Sequence, residues 1–158
     1  MFRILKQIFE QLPLMTIGGK DYKPVFDFGT QEQLSANLSL RRKTGDSYYP
    51  LIYLETPVKE DENMDFKFIL ATMNKKTDMR NEDRLKWTFE DTLEPLKNNV
   101  EKALLRSGVF RRNEDTPNKF YKGEKHFNYH MTPDIWDVLI YETSLRYNGD
   151  CDIKAIYF

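Results

Sequence analysis

Phe2, Leu5, Ile8, Phe9 and Leu12 fall at three- and four-residue steps, the repeat of one helix face, until Pro13 ends the run. The spacing predicts a short amphipathic helix over 2–12. Gly18-Gly19 then breaks the chain, and the poor alternation around Pro24 allows at best a short edge strand over 22–28. Thr30 and Gln33 stand at capping-box spacing, which predicts a helix over 31–40 with Leu34 and Leu38 turned inward.

Beyond the loop chemistry of Thr44-Gly45-Asp46-Ser47, the compact apolar run at 49–55 predicts a strand, with Pro50 near its start where a missing N–H is tolerated. A second strand follows at 65–73. The segment between them, 56–64, is too polar for core, so the pair reads as a hairpin with a long acidic loop. Asn81 precedes Glu82 and Asp83, carboxylates that suit the first turn of a helix. Leu85, Phe89, Leu93, Leu96, Val100 and Leu104 continue from there as one stripe, closed by Arg106 and Gly108. This is the main helix, and Pro95 predicts a kink near 91–95.

Residues 113–125 read as an exposed connection, and the alternation of 126–131 predicts a strand. Residues 136–147 are apolar on both parities, so both faces of that strand need cover. Asn148-Gly149-Asp150 signals a turn, and 151–158 returns as a last strand. The order of elements predicts one α+β domain over 1–158, a mostly antiparallel sheet with the long helix and the N-terminal helix packed on one face.

Composition narrows the function classes. The 24 Lys+Arg against 25 Asp+Glu give a formal charge of -1, which supplies no general drive toward nucleic acid or an anionic membrane. The longest apolar stretches, such as Leu51-Ile52-Tyr53-Leu54, fall far short of the roughly 20 residues of a membrane span. The opening Met1-Phe2-Arg3-Ile4-Leu5-Lys6 is unlike a secretory signal. Nine Tyr and eleven Phe suit a sheet-rich core or an interface.

No strong chemical motif is present. A single cysteine, Cys151, excludes an internal disulfide, and beside the turn at 148–150 it reads as a small half-buried filler rather than a nucleophile. His126 and His130 on a strand would be about 13 Å apart, too far to chelate one ion together. Gly18-Gly19-Lys20 lacks the rest of a P-loop. No catalytic, cofactor or metal residues are assigned, and the chain is not read as an enzyme. The candidates that remain are interface residues. Glu60, Asp61 and Glu62 lie in a segment, 55–65, with five carboxylates against Lys59 alone. Arg41-Arg42-Lys43 and Arg111-Arg112 are basic counterparts elsewhere, and Trp87 and Tyr147 lie off the regular faces as potential anchors.

Phe26-Asp27-Phe28-Gly29-Thr30 leading to Asn37, then Tyr49-Pro50-Leu51-Ile52-Tyr53-Leu54-Glu55-Thr56-Pro57, then 81–96, then Asp134-Ile135-Trp136-Asp137 carry a resemblance across nearly the whole chain. It is to the tail-terminator, tail-completion and head-to-tail joining (neck ring) proteins of tailed bacteriophages, including the short-tailed crAss-like group. The resemblance implies an N-terminal helix, an antiparallel sheet, a long helix across it and a C-terminal strand. It also implies a structural virion protein of the neck or tail, assembled in the host cytoplasm as a cyclic homo-oligomer, a hexamer or dodecamer. Such a ring joins portal, neck or tail neighbours and passes viral DNA without reading its sequence. The alternative is a peptide- or nucleic-acid-binding accessory domain encoded by a phage.

Overall fold

Strands with apolar side chains on both parities demand cover on both faces, and that demand shapes this protein. A computed structural model describes residues 1–44, 48–59, 61–73, 81–122, 136–149 and 151–158. Helix α1 (Phe2–Phe9) leads to a hairpin of β1 (Met15–Ile17) and β2 (Lys20–Tyr22). Its turn uses Gly18 and Gly19 at φ 59° and 80°, where a side chain would be strained. Then come β3 (Val25–Gly29), α2 (Gln31–Thr44), β4 (Leu51–Glu55) and β5 (Asn63–Met73). A short α3 (Asn81–Arg84), a π-helical segment (Leu85–Leu93) and α4 (Glu94–Arg106) form the long helix, followed by β6 (Phe110–Arg112), β7 (Lys119–Lys122) and β8 (Trp136–Tyr147).

The main sheet has the order β3-β4-β5-β8-β6, with β7 also on β8, beside β6's end of the same edge. Only β3 and β4 are parallel; every other pairing is antiparallel, so the fold is α+β as expected. The register Phe68↔Tyr141, Ile69↔Ile140 and Leu70↔Leu139 sorts side chains between the faces. Ile52, Leu54, Phe66, Phe68, Leu70, Leu139 and Tyr141 join Leu5, Ile8, Phe9, Phe89, Leu93, Leu96 and Val100 in the larger core. Thus α1 and α4 share one face. Helix α2 covers the other, where Leu34 and Leu38 meet Leu51, Tyr53, Ile69, Ala71, Val138 and Ile140. Helices therefore lie on both faces rather than one, because the strands are apolar on both parities.

Several boundaries differ from expectation. Helix α1 ends at Phe9, yet Gln11 and Leu12 donate N–H bonds to Ile8 and Phe9 carbonyls at 3.2 and 3.1 Å, which keeps Leu12 buried. The region 22–28 divides between β2 and β3, and α2 runs on to Thr44. Met64 is buried in β5, so the polar loop is shorter than 56–64. The stripe of the long helix fails at Leu85, which is 38% exposed; in the wider π-helical turn Thr88, Phe89, Thr92 and Leu93 point inward instead. Pro95 sits in the first turn of α4, where no N–H is required of it.

Edge strand β7 occupies part of the region expected as connection, and β6 follows the long helix just before it, where no element was expected. Residues 151–158 form no strand. Both sides of β8 are already taken, by β5 and by β6 with β7, so a strand returning after the turn cannot pair with β8. The tail packs across helix ends instead: Lys154 N–H donates to the Ser107 carbonyl at 2.9 Å, and Ile156 N–H to Gln11 Oε1 at 2.9 Å, with Ile156 buried. The expected strand at 126–131, with His126 and His130, lies outside the described residues.

Candidate functional site

The acidic loop is folded back on its own strand. Lys59 bridges to Asp65, and Lys59 Nζ stands 3.2 Å from Asp61 Oδ2. The lysine bond, helped by the Glu62 N–H, holds the Asp61 carboxyl below the usual carboxylate range. At the loop's start, Lys67 Nζ lies 3.1 Å from Glu55 Oε2 and 3.2 Å from Oε1, an ion pair more than half buried on both sides. Glu62 is exposed, and its carbonyl accepts the Tyr147 N–H at 3.4 Å. Glu60 lies outside the described residues.

The expected basic counterparts divide among three places. Arg111, exposed on β6, faces Arg146 directly across the ladder, and Arg146 in turn faces Asn63 at the root of the acidic loop. Two strand spacings, about 10 Å, therefore separate Arg111 from that root within one chain. Arg146 Nη2 reaches Asp115 Oδ2 at 3.7 Å. Arg112 points to the other face and donates to Glu101 Oε1 at 2.7 Å. Arg41 and Arg42 lie in the last turns of α2, which begins beside β3's far end and returns toward the start of β4. Their backbone is thus at the opposite end of the sheet from the acidic loop; their side chains are outside the described ones.

A polar network that the sequence did not announce joins α4 to the β6–β7 edge. Glu101 Oε1 accepts from Arg112 and from Asn118 Nδ2 at 3.0 Å, while Lys97 Nζ approaches Oε2 at 3.9 Å. Asn118 Oδ1 accepts from Thr143 Oγ1 at 2.8 Å, and its Nδ2 lies 3.3 Å from Tyr141 Oη. Burial pushes the Tyr141 phenol up to about 12, against the lowering effect of its Thr143 bond. With Glu101 and Asn118 each shared between elements, the network ties α4 to β6 and β8. Of these contacts only the Lys97–Glu101 pair joins residues four apart on one helix, a spacing a sequence can signal.

A second clamp seats α2. Asp27 Oδ2 accepts from Tyr48 Oη at 2.7 Å and Asn37 Nδ2 at 3.2 Å. Tyr53 Oη donates to the Thr30 carbonyl at 2.8 Å; burial first, then the Asp27 and Glu55 charges, raise its pKa. The open groove on the half of the sheet that α2 leaves bare, about 310 Å³, is lined by Asp65, Lys67, Lys119, Glu142 and Ser144, charges of both signs. Among the described residues no group of three or more His, Cys, Asp or Glu is placed to hold a metal ion. Among them, too, no helix is long and apolar enough to cross a membrane. Cys151 is exposed rather than half-buried, with Asn148 Nδ2 3.0 Å from its Sγ.

The aromatic candidates separate clearly. Trp87 is 50% exposed on the π-helical segment. Tyr147 is half-buried against Phe110, ring centroids 5.8 Å apart, and belongs largely to the core rim. Sequence reasoning missed Phe28, 41% exposed at the β3 edge and stacked on Phe2 at 4.1 Å. Comparison of the chain with protein-family models, curated proteins and solved structures returns no match.

Proposed function

We propose that this chain is a structural subunit of a tailed-phage neck or tail, assembling as a cyclic homo-oligomer through which viral DNA passes. The observation that carries the assembly part is the placement of large apolar side chains at the surface, Phe28 on β3, the terminal strand of the sheet among the described residues, and Trp87 on the long helix. Exposed aromatic rings beside polar rims supply most of the affinity of protein interfaces. Two further features support the same reading. The polar clusters around Glu101 and Asp27 are spent on holding helices to the sheet. The order of an N-terminal helix, an antiparallel sheet and a long helix across it is the order the resemblance implies, although 151–158 departs from it. The virion assignment rests on the resemblance carried by the sequence.

Native mass spectrometry tests the assembly, with species at multiples of the 18.9 kDa subunit, a hexamer or dodecamer, as the expected result. Cryo-EM of the source virion tests the location. A chain that stays monomeric at all concentrations and is missing from the virion would overturn the proposal and favour an accessory binding domain.

A further inference from the structure

We infer that copies of this chain associate head to tail, the outer edge of β3 in one copy pairing with the β7 edge of the next, so that the sheet continues from subunit to subunit. The inference rests on the assembly reading above and names the surfaces that assembly uses. Among the described residues no strand lies outside β3 at one end of the sheet, or outside β6 and β7 at the other.

The β3 edge is prepared for a partner. Val25 N–H donates to the Pro50 carbonyl, and Gly29 accepts from Thr56 N–H, so the odd-numbered residues bond to β4. By alternation the peptide groups of Phe26 and Phe28 turn outward. Asp27 Oδ1 takes the outward Phe28 N–H at 2.8 Å, which sets a carboxylate at this margin and leaves the Phe26 N–H and the Phe26 and Phe28 carbonyls for a partner strand. Phe28 and Phe2 stack there with planes 6° apart, and Phe26 and Phe9 link that stack to the core. Such a ring, rigidly held and open to solvent, is suited to anchor an interface.

The opposite edge carries the opposite charge. The strands β6 and β7 contain Arg111, Lys119 and Lys122, besides Arg112 that is held by Glu101, and no acidic residue. Lysines and arginines on short strands keep like edges apart. Two β6–β7 edges brought together repel, and two β3 edges oppose Asp27 to Asp27. Unlike edges attract, so the charges select a heterologous contact, the kind that closes into a ring when its rotation permits. Residues 113–118 separate β6 from β7, and four-residue β7 matches five-residue β3 better than three-residue β6 does.

The test uses two variants with altered edges, Phe28→Arg and the double change Arg111→Glu with Lys119→Glu, studied alone and mixed by native mass spectrometry. Circular dichroism melting confirms that each folds. Alone, each variant should fall from the wild-type assembly to the 18.9 kDa monomer. Mixed one to one, each altered edge meets a complementary one, and assemblies of alternating subunits should return. If the wild type assembles and both variants assemble as well as it does, the edge pairing is wrong and the ring reading stands. Variants that dissociate but do not recover on mixing also overturn the pairing. A wild type that is monomeric throughout overturns both. Should one variant fail to fold, Phe28→Lys or the single change Lys119→Glu takes its place in the mixture.

Discussion

Replacing Gly29 by alanine adds one methyl group at the point where β3 hands over to α2. Its φ of 149° lies outside the range side chains favour. A Cβ there would sit 2.5 Å from Gln33 Oε1 and 2.7 Å from Tyr53 Oη. Both atoms are occupied. Gln33 Oε1 accepts the Thr30 N–H at 2.9 Å as half of a capping box whose other half is Gln33 N–H to Thr30 Oγ1 at 3.3 Å. Tyr53 Oη donates to the Thr30 carbonyl. The methyl cannot enter without displacing both. Loss of the cap costs about 0.5–2 kcal/mol, loss of the tyrosine bond about 0.5–1.5 kcal/mol, and the backbone strain about 1–3 kcal/mol. A combined loss near 4 kcal/mol lowers Tm by on the order of 10 °C in a chain of this size. Urea unfolding followed by circular dichroism at fixed protein concentration measures it. The cause can be isolated: Gln33→Ala should cost less in the Gly29→Ala background than in the wild type, since the clash partner is then absent. A loss below about 1 kcal/mol for Gly29→Ala, or equal costs of Gln33→Ala in both backgrounds, would refute the reasoning.

Leu93 is fully buried between the long helix and the sheet, so Leu93→Asp should cost several kcal/mol; a cooperative melt at the wild-type temperature would contradict that placement. Glu101→Ala removes the acceptor shared by Arg112 and Asn118 and should cost about 1–3 kcal/mol. Arg112→Ala, at a more exposed partner, should cost under about 1 kcal/mol, and equal losses in urea titrations would remove Glu101 from the centre of the network. Tyr141 is held neutral in the fold up to about pH 12 but ionises near 10 when unfolded, so its stabilising effect is complete below pH 10 and disappears between about 10 and 12. Stability measured across that window should fall, and Tyr141→Phe should flatten the fall; an unchanged slope would show that the phenol is not shielded.

What the sequence disclosed follows from how strongly burial marks it. The strands now seen as β4, β5 and β8 are apolar on both parities, and a run of that kind is visible whichever neighbour it pairs with. The capping box at Thr30 is a local device, legible without tertiary context. Helix α2 was placed in the sequence but not on its face, because a face is a property of the assembled sheet. The edge strands β6 and β7 were hidden because their outward residues are Arg and Lys, and three or four residues give little alternation to read. The tail at 151–158 misled for the complementary reason: it has a turn before it and alternating residues, but a hairpin return needs a free side on β8, and both are paired. The Glu101 network draws on residues from 97 to 143, and nothing in a linear pattern brings these together.

The sheet's two faces carry different instructions, written in β5 and β8. On the face beneath α2, Ala71↔Val138 and Ile69↔Ile140 are apolar pairs. The next steps along that face are Lys67↔Glu142, Asp65↔Ser144 and Asn63↔Arg146. Both strands change character at the same register position, so the end of the apolar stretch sets how far α2 extends its cover. A slip of one residue would throw every one of these side chains to the wrong face, which makes the boundary a register lock as well. The other face has no such break: Phe66, Phe68 and Leu70 of β5 and Leu139, Tyr141 and Leu145 of β8 are buried along its length. At the bare end of the first face meet the acidic loop, the Glu55–Lys67 pair and Arg111. An apolar partner laid on that end would strip water from ion pairs at a cost of several kcal/mol. A charged partner would not, and its contact would weaken with salt over a Debye length of about 10 Å at 0.1 M. Under the proposed edge pairing, association should therefore divide in two, with the aromatic β3 edge supplying affinity that salt leaves intact and the charged end fixing orientation in a way that salt erodes.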